Sequence, residues 1–443
     1  MRHTALFLAA TLVATPVLAQ QAPSPGPTVR SMAAGYKALM VCGAVFNARE
    51  AGSERTLDSI RDNELTGIYS ELDPLVRDMP VEMGSASASV AWDEAMPPRM
   101  AVHTAGRGCS VAPVGEQALA PRDPIVRAAG SDWPTAEPRG DGAGLDATLS
   151  GALGDAYGAT ANTTALLVVQ DGKLVAERYA EGFGPDTPQR TWSVAKSLAG
   201  TLIGWAAHQQ TIDVNAPVSI PDWSTPGDPR ADITLDNLLR MASGLTSDTA
   251  GNRTDALYFG GVTIAEQTPT WPLIAPPGQR FRYANNDILL AILSLQGFFE
   301  HNPPTDLLDR LGMVDTFVET DWRGGYMLSS QVWSTARDLA RFGQLYIQDG
   351  MWEGERLLPE NWRAYVSEPS GPQPNGALGY GATFWLMNHS DGVPTDTIAA
   401  QGNRGQYVVI VPSRNLVVVR RGEDPGGGFD VVGFTRDVLA VLD

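Results

Sequence analysis

The stretch Thr191-Trp192-Ser193-Val194-Ala195-Lys196 and the apolar run behind it, Ser197 to Ala207, decide how the rest of the chain is read. The run predicts a helix that begins near Ser193. Three residues make about one turn, so Ser193 and Lys196 project from one face. The hydroxyl falls where free backbone N–H groups and the positive end of the helix dipole gather. Serine is a poor nucleophile at its own pKa and needs an adjacent base. A lysine serves once it is partly desolvated or set beside other cations, whereas an arginine keeps its proton. Of the 32 basic residues only Lys37, Lys173 and Lys196 are lysines, so arginine is used almost everywhere a plain positive charge would do. Ser-x-x-Lys alone is equally the pattern of a solvated lysine on an amphipathic helix.

A second element narrows the choice. Pro276-Pro277-Gly278 makes a turn, Tyr283-Ala284-Asn285 follows, and an apolar helix is expected over Asp287 to Gln296, about 90 residues beyond the serine. A phenol beside a lysine can share its proton and pass it to a leaving group, and an amide can orient both the lysine and a substrate carbonyl. The third element is Ala400-Gln401-Gly402-Asn403-Arg404-Gly405-Gln406, directly ahead of a β-rich run. Glycine at a strand edge lets an acyl group approach the backbone, and an N–H there, assigned to Asn403, can pair with that of Ser193 around an oxyanion. Each element read alone has a plainer meaning, a core tyrosine for one and a turn for the other.

The surroundings suggest how these elements are assembled. Ala165 to Gln170, the turn pair Asp171-Gly172 and Lys173 to Tyr179 read as a hairpin. Tyr407 to Val411 and Leu416 to Arg420, around Pro412-Ser413-Arg414-Asn415, read as another, and Phe429 to Leu442 as an amphipathic closing helix. Strands near both ends with mostly helical sequence between them predict an α+β fold, one antiparallel sheet carrying a large helical insertion.

Ser193-x-x-Lys196, Tyr283-x-Asn285 and the Gly402 strand edge, in this order and spacing, resemble the serine β-lactamase and penicillin-binding protein superfamily. Tyr283-Ala284-Asn285 in place of Ser-x-Asn is similar to the class C branch, which also holds esterases, D-amino-acid peptidases and 6-aminohexanoate-dimer hydrolases. Supporting matches are Leu238 to Leu245 and Gly324 to Gly343, and the resemblance covers about residues 140 to 443. It implies a β-lactamase-like fold, a two-step acyl transfer by Ser193, Lys196 and Tyr283, and no metal or organic cofactor. One departure counts: β-lactamases of this branch have Lys-Thr-Gly, and this chain has Ala400-Gln401-Gly402. The side chain that holds a β-lactam carboxylate is missing, which points away from strong β-lactamase activity and toward ester or amide substrates, with Arg404 as a partial substitute for the lost cation. A D,D-peptidase or a weak β-lactamase is the alternative enzyme. A non-catalytic peptidoglycan-binding envelope protein is the alternative of another class, disfavoured because Ser193, Lys196 and Tyr283 are all retained.

At 443 residues two or three units are expected. Arg2 and His3 precede an apolar run from Ala5 to Leu18, and Val17-Leu18-Ala19 is a small-residue cleavage signature. Residues 1–19 therefore read as a signal peptide, too short to span a bilayer, which needs about 20 apolar residues. An exported, periplasmic or secreted protein without a membrane span in its mature form is expected. Cys42 and Cys109, the two cysteines of the chain, then pair as one disulfide. They lie in an N-terminal region, residues 20–135, that carries no chemical motif; the hydrolase domain is assigned to 136–443. Lys and Arg total 32 against 50 Asp and Glu, a net charge of −18 with no basic run, which excludes a nucleic-acid partner. No Gly-x-Ser-x-Gly or His-Glu-x-x-His occurs. None of His3, His103, His208, His301 and His389 has a catalytic context. Trp192, Trp322, Trp333 and Trp385 read as core.

Overall fold

A computed structural model describes residues 25–130, 133–134, 143–210, 212–246, 254–426 and 428–442. The segment read as a signal peptide lies outside these residues, as does most of the Pro- and Gly-rich stretch before residue 143.

The N-terminal region opens with helix α1 (Pro27–Cys42), which has Pro27 in its first turn and continues into a π turn at Gly43–Asn47. It packs on a four-stranded antiparallel meander of β1 (Val81–Met83), β2 (Ser87–Val90), β3 (Arg99–Thr104) and β4 (Gly108–Val111). A disulfide joins Cys42 at the end of α1 to Cys109 in β4, as the sequence predicts.

The remainder is built around a seven-stranded antiparallel sheet. Two hairpins make up one side of it, β5 (Thr163–Gln170) with the edge strand β6 (Lys173–Tyr179), and β10 (Gln406–Val411) with β11 (Leu416–Gly422). β11 joins β5, so the two predicted hairpins meet in mid-sheet, and β7 (Gly379–Tyr380), β8 (Trp385–Leu386) and β9 (Ile398–Gly402) complete the β10 side. Asp171 and Gly172 take φ of 50° and 72°, the left-handed turn that pair was read to make.

Both faces of this sheet are covered, which explains why its central strands are apolar throughout rather than alternating with polar residues. Ala165, Leu167, Val169, Val417 and Val419 face one core; Leu166, Val168, Leu416 and Val418 face the other. Helices α2 (Ala143–Leu153) and α6 (Val431–Leu442) cover the second face. α3 (Val194–Gln209) and α5 (Ala336–Ile347) pack on the first, with α4 (Asn285–Ser294) against α3. α3 is buried from Val194 to Ala206, so it is apolar on nearly all sides. Burying each Val or Leu in such a core contributes about 1.5–3 kcal/mol.

The third core is shared. Leu39, Val41, Val90 and Val111 of the N-terminal region cluster with Tyr258, Leu289, Phe317 and Trp333 from the rest of the chain. A fully buried carboxylate, Glu319, ties the two parts polar group to polar group. Its Oε1 accepts from Asn47 Nδ2 at 3.1 Å and from the Cys109 N–H at 3.0 Å, and its Oε2 from Gln331 Nε2 at 2.7 Å. Burial raises its pKa above the usual carboxylate range.

Candidate active site

Ser193 is the N-cap of α3, and Trp192 before it adopts φ of 49°, a strained conformation for a bulky residue. This sharp entry, rather than a smooth helical start, aims the hydroxyl into a cleft. Lys196, 1% exposed, reaches back along the same face. Its Nζ lies 2.9 Å from Ser193 Oγ, 2.6 Å from Asn285 Oδ1 and 2.8 Å from the carbonyl oxygen of Ser329. Two of these three partners can only accept. An amine that donates to both keeps its lone pair for the third, the hydroxyl of Ser193.

The electrostatics favour that neutral amine. Burial, aided by the Arg190 guanidinium, lowers the pKa of Lys196 to about 7. Arg190 is buried, stacked 3.6 Å over the Trp192 ring and bonded to the Ser330 carbonyl and to Tyr36 Oη of α1, both at 3.2 Å. Its positive charge disfavours the third proton that would make the Lys196 amine an ammonium.

Tyr283 stands in the extended segment just before α4, lining the cleft with Ser193, and its ring lies 4.9 Å from Lys196 Nζ. Burial pushes its pKa up, so it stays a neutral phenol. α4 begins two residues earlier than expected, which puts Asn285 in its first turn. Asn285 Nδ2 donates to Thr254 Oγ1 at 3.1 Å, which fixes the amide with its oxygen toward Lys196.

Across the cleft β9 ends beside the serine. A side chain at Gly402 would come within 3.1 Å of the Ser193 N–H nitrogen and collide with the Thr191 carbonyl, so glycine is required for this approach. Asn403 follows at the rim, its Oδ1 accepting from the Arg404 N–H at 3.0 Å. The structure thus brings Ser193, Lys196, Tyr283, Asn285, Gly402 and Asn403 together.

Arg404 must be corrected. Its guanidinium is buried and turned away from the cleft, with Nε 2.9 Å from Glu423 Oε2, Nη2 2.9 Å from the Glu423 carbonyl, and Nη1 on the Thr66 carbonyl. The buried Glu423 carboxylate needs a cation more than solvent does, so Arg404 is not a substitute for the missing lysine. Ala400, where that lysine would stand, is fully buried. The tryptophans also divide: Trp333 is core, but Trp192 and Trp385 line the cleft.

The cleft has a volume of about 550 Å³. Asp255 is the one charged side chain among the described residues that line it. Sequence reasoning missed four contributors. The Ser329 carbonyl has no sequence signature, although it falls inside the Gly324–Gly343 match. Arg190 precedes the serine motif without any sign that it turns inward. Ile68 and Tyr69 come from the region that carried no motif.

With this geometry in place, comparison with known proteins is direct. A sequence model described as Beta-lactamase matches residues 155–427, and the chain belongs to that family. It is thus a hydrolase of the β-lactamase family. It is 25% identical over 291 residues to the 6-aminohexanoate-dimer hydrolase of Paenarthrobacter ureafaciens, covering 59% of this chain and 73% of the other. Its fold is similar to a Bacillus anthracis structure provisionally named a 6-aminohexanoate-dimer hydrolase (TM-score 0.53, 23% identity, 63% of this chain and 78% of that one). It is also similar to a β-lactamase/D-alanine carboxypeptidase from Pseudomonas syringae (TM-score 0.52, 14% identity, 68% and 99%).

Proposed function

We propose that the protein is a serine hydrolase that cleaves ester or linear amide bonds of substrates without an obligatory carboxylate, through an acyl-enzyme on Ser193. The observation that carries this reading is the Lys196 amine between two carbonyl-type acceptors and the serine hydroxyl. Ser193 Oγ attacks the substrate carbonyl while its proton passes to Lys196, and the N–H groups of Ser193 and Asn403 hold the oxyanion. As the intermediate collapses, the bond to the leaving group breaks. Tyr283 gives that group its proton and regains one from Lys196. Water then attacks the acyl carbon with the same pair as base, and Ser193 recovers its proton.

The substrate class rests on what the site lacks and on the named relative. Among the described residues, buried Ala400 and inward-turned Arg404 leave no cation facing the cleft, while Asp255 adds negative charge to it. An anchored carboxylate, which a β-lactam or a D,D-peptide substrate would bring, finds no partner among those residues. We further propose that the protein works outside the cytoplasm, a reading supported by the leader-like residues 1–19 and by the Cys42–Cys109 disulfide.

Hydrolysis of p-nitrophenyl acetate and butyrate, with nitrocefin alongside, by the mature protein and by Ser193→Ala tests the proposal. Ester turnover that vanishes in the variant, with little nitrocefin cleavage, is expected. Nitrocefin turnover matching the esters would overturn the substrate class, and no turnover of any of them would overturn the ester reading in favour of a strict peptidase or a binding role.

A further inference from the structure

Ile68 and Tyr69 lie outside the matched family segment, yet they form a wall of the cleft that opens on Ser193. Adjoining that wall is a second cavity of about 320 Å³, lined also by Met32, Ser70, Glu71, Leu72 and Phe259. The two cavities share three lining residues, Ile68, Tyr69 and Asp255. Ile68, Tyr69 and Asp255 therefore stand between the reacting serine and additional space of mixed polar and apolar lining.

The partition is held from several directions. The Asp73 carboxylate accepts the N–H groups of Gly67, Ile68 and Tyr69 at 3.0, 3.3 and 3.3 Å, which fixes the backbone of the turn. The Tyr69 ring meets Tyr36 and Phe259 edge-on, with centroids 5.4 and 5.5 Å away, and its hydroxyl donates to Asp255 Oδ1 at 2.8 Å. Arg404 grips the Thr66 carbonyl, so the turn is fastened to the end of the same strand that brings Gly402 to the serine.

We infer that Ile68 and Tyr69 are specificity-determining residues, which close the cleft on its Asp255 side and limit how long a substrate chain it accepts. The cavity behind them is an extension that fits an uncharged linear chain, because Met32, Leu72 and Phe259 offer it apolar contact and the charged residues lining it, Asp255 and Glu71, are carboxylates that disfavour an anion. This inference rests on the reading of Ser193 as the nucleophile.

The test compares wild type with Tyr69→Ala, Ile68→Ala and Ile68→Trp on two series: p-nitrophenyl acetate, butyrate and octanoate for the acyl side, and ethyl and octyl acetate for the alcohol side. A fluorophosphonate adduct at Ser193, located by mass spectrometry, is scored in parallel. In one of the two series the long-to-short ratio of kcat/KM should rise about tenfold in both alanine variants, the scale of a pocket gaining or losing a methylene or more. Ile68→Trp keeps the Tyr69 ring and adds volume at a half-buried position, so it remains informative if Tyr69→Ala folds poorly. It should lower the butyrate-to-acetate ratio, or its alcohol-side equivalent, by a similar factor. Ratios within twofold of wild type in all three variants, with the Ser193 adduct present, overturn the partition alone. No adduct in the wild type overturns the nucleophile and this inference with it.

Discussion

Ser193 and Lys196 stand three positions apart in sequence and meet at 2.9 Å; Tyr69 and Asp255 stand 186 apart and meet at 2.8 Å. The two contacts are equally short and occupy facing sides of one cleft, but they arise differently. The first follows chiefly from the pitch of one helix, which puts the two residues on one face. The second needs α1, its meander and the loop around Asp255 to be docked together first. Chemistry in this protein is local, and its enclosure is not. A single substitution on the local side should therefore abolish reaction, while substitutions on the other side should alter stability or substrate choice.

The largest effect expected is on the local side. Ser193→Ala and Lys196→Arg should each lower kcat/KM for p-nitrophenyl acetate by about 10⁴-fold, since the nucleophile and its base act as a unit. The arginine variant is the sharper one, because it keeps the charge and cannot release the proton. If it retained a tenth of wild-type activity, Lys196 would be a positioning residue only.

On the long-range side, Cys42→Ala with Cys109→Ala removes a link across a sequence separation of 67 residues. The loss should be about 4 kcal/mol by loop entropy, measured by urea unfolding. The folded double variant should still turn over acetate, because neither cysteine lines the cleft. A loss of activity without a loss of stability would contradict the division drawn here. Arg404→Ala should cost about 3 kcal/mol, the penalty of stranding the buried Glu423 carboxylate. Its KM for a carboxylate-bearing ester should stay within about twofold of wild type, a change of less than 0.5 kcal/mol. A large rise in that KM would return Arg404 to the substrate.

The smallest effect is a shift in pH. Lys196 must be neutral to accept the serine proton, and its pKa is lowered to about 7. The rate of fluorophosphonate labelling should therefore rise with pH, half-maximal near 7, and fall about tenfold per unit well below it. A midpoint near that of a solvated lysine would mean that burial and Arg190 do not act on Lys196 as the geometry indicates.

Much of this was readable before any coordinates. Apolar, β-rich runs with turn residues between them foretold both hairpins, and the left-handed φ of Asp171 and Asn415 shows why those residues sit in the turns. The cysteines paired as the compartment argument required. Ser193, Lys196, Tyr283 and Asn285 converge as their spacing suggested. What escaped was direction and anonymity. Arg404 could point toward substrate or toward Glu423, and a sequence names the side chain without its rotamer. The Ser329 carbonyl could not be singled out, since every residue has one. Trp192 and Trp385 read as core because large aromatics usually are, until the strained entry to α3 and the short β8 turned them outward.

The amino-acid sequence by itself put the proposed nucleophile and its proposed base on one helix face and foretold the sheet that carries them, because helix pitch and apolar, β-rich runs act over a few residues and are legible there. Only the tertiary structure decided that Lys196 is dry, that Arg404 is spoken for and that residues 66–69 wall the cleft. Those outcomes depend on burial and on partners brought from distant parts of the chain, and such contacts leave no period in the sequence.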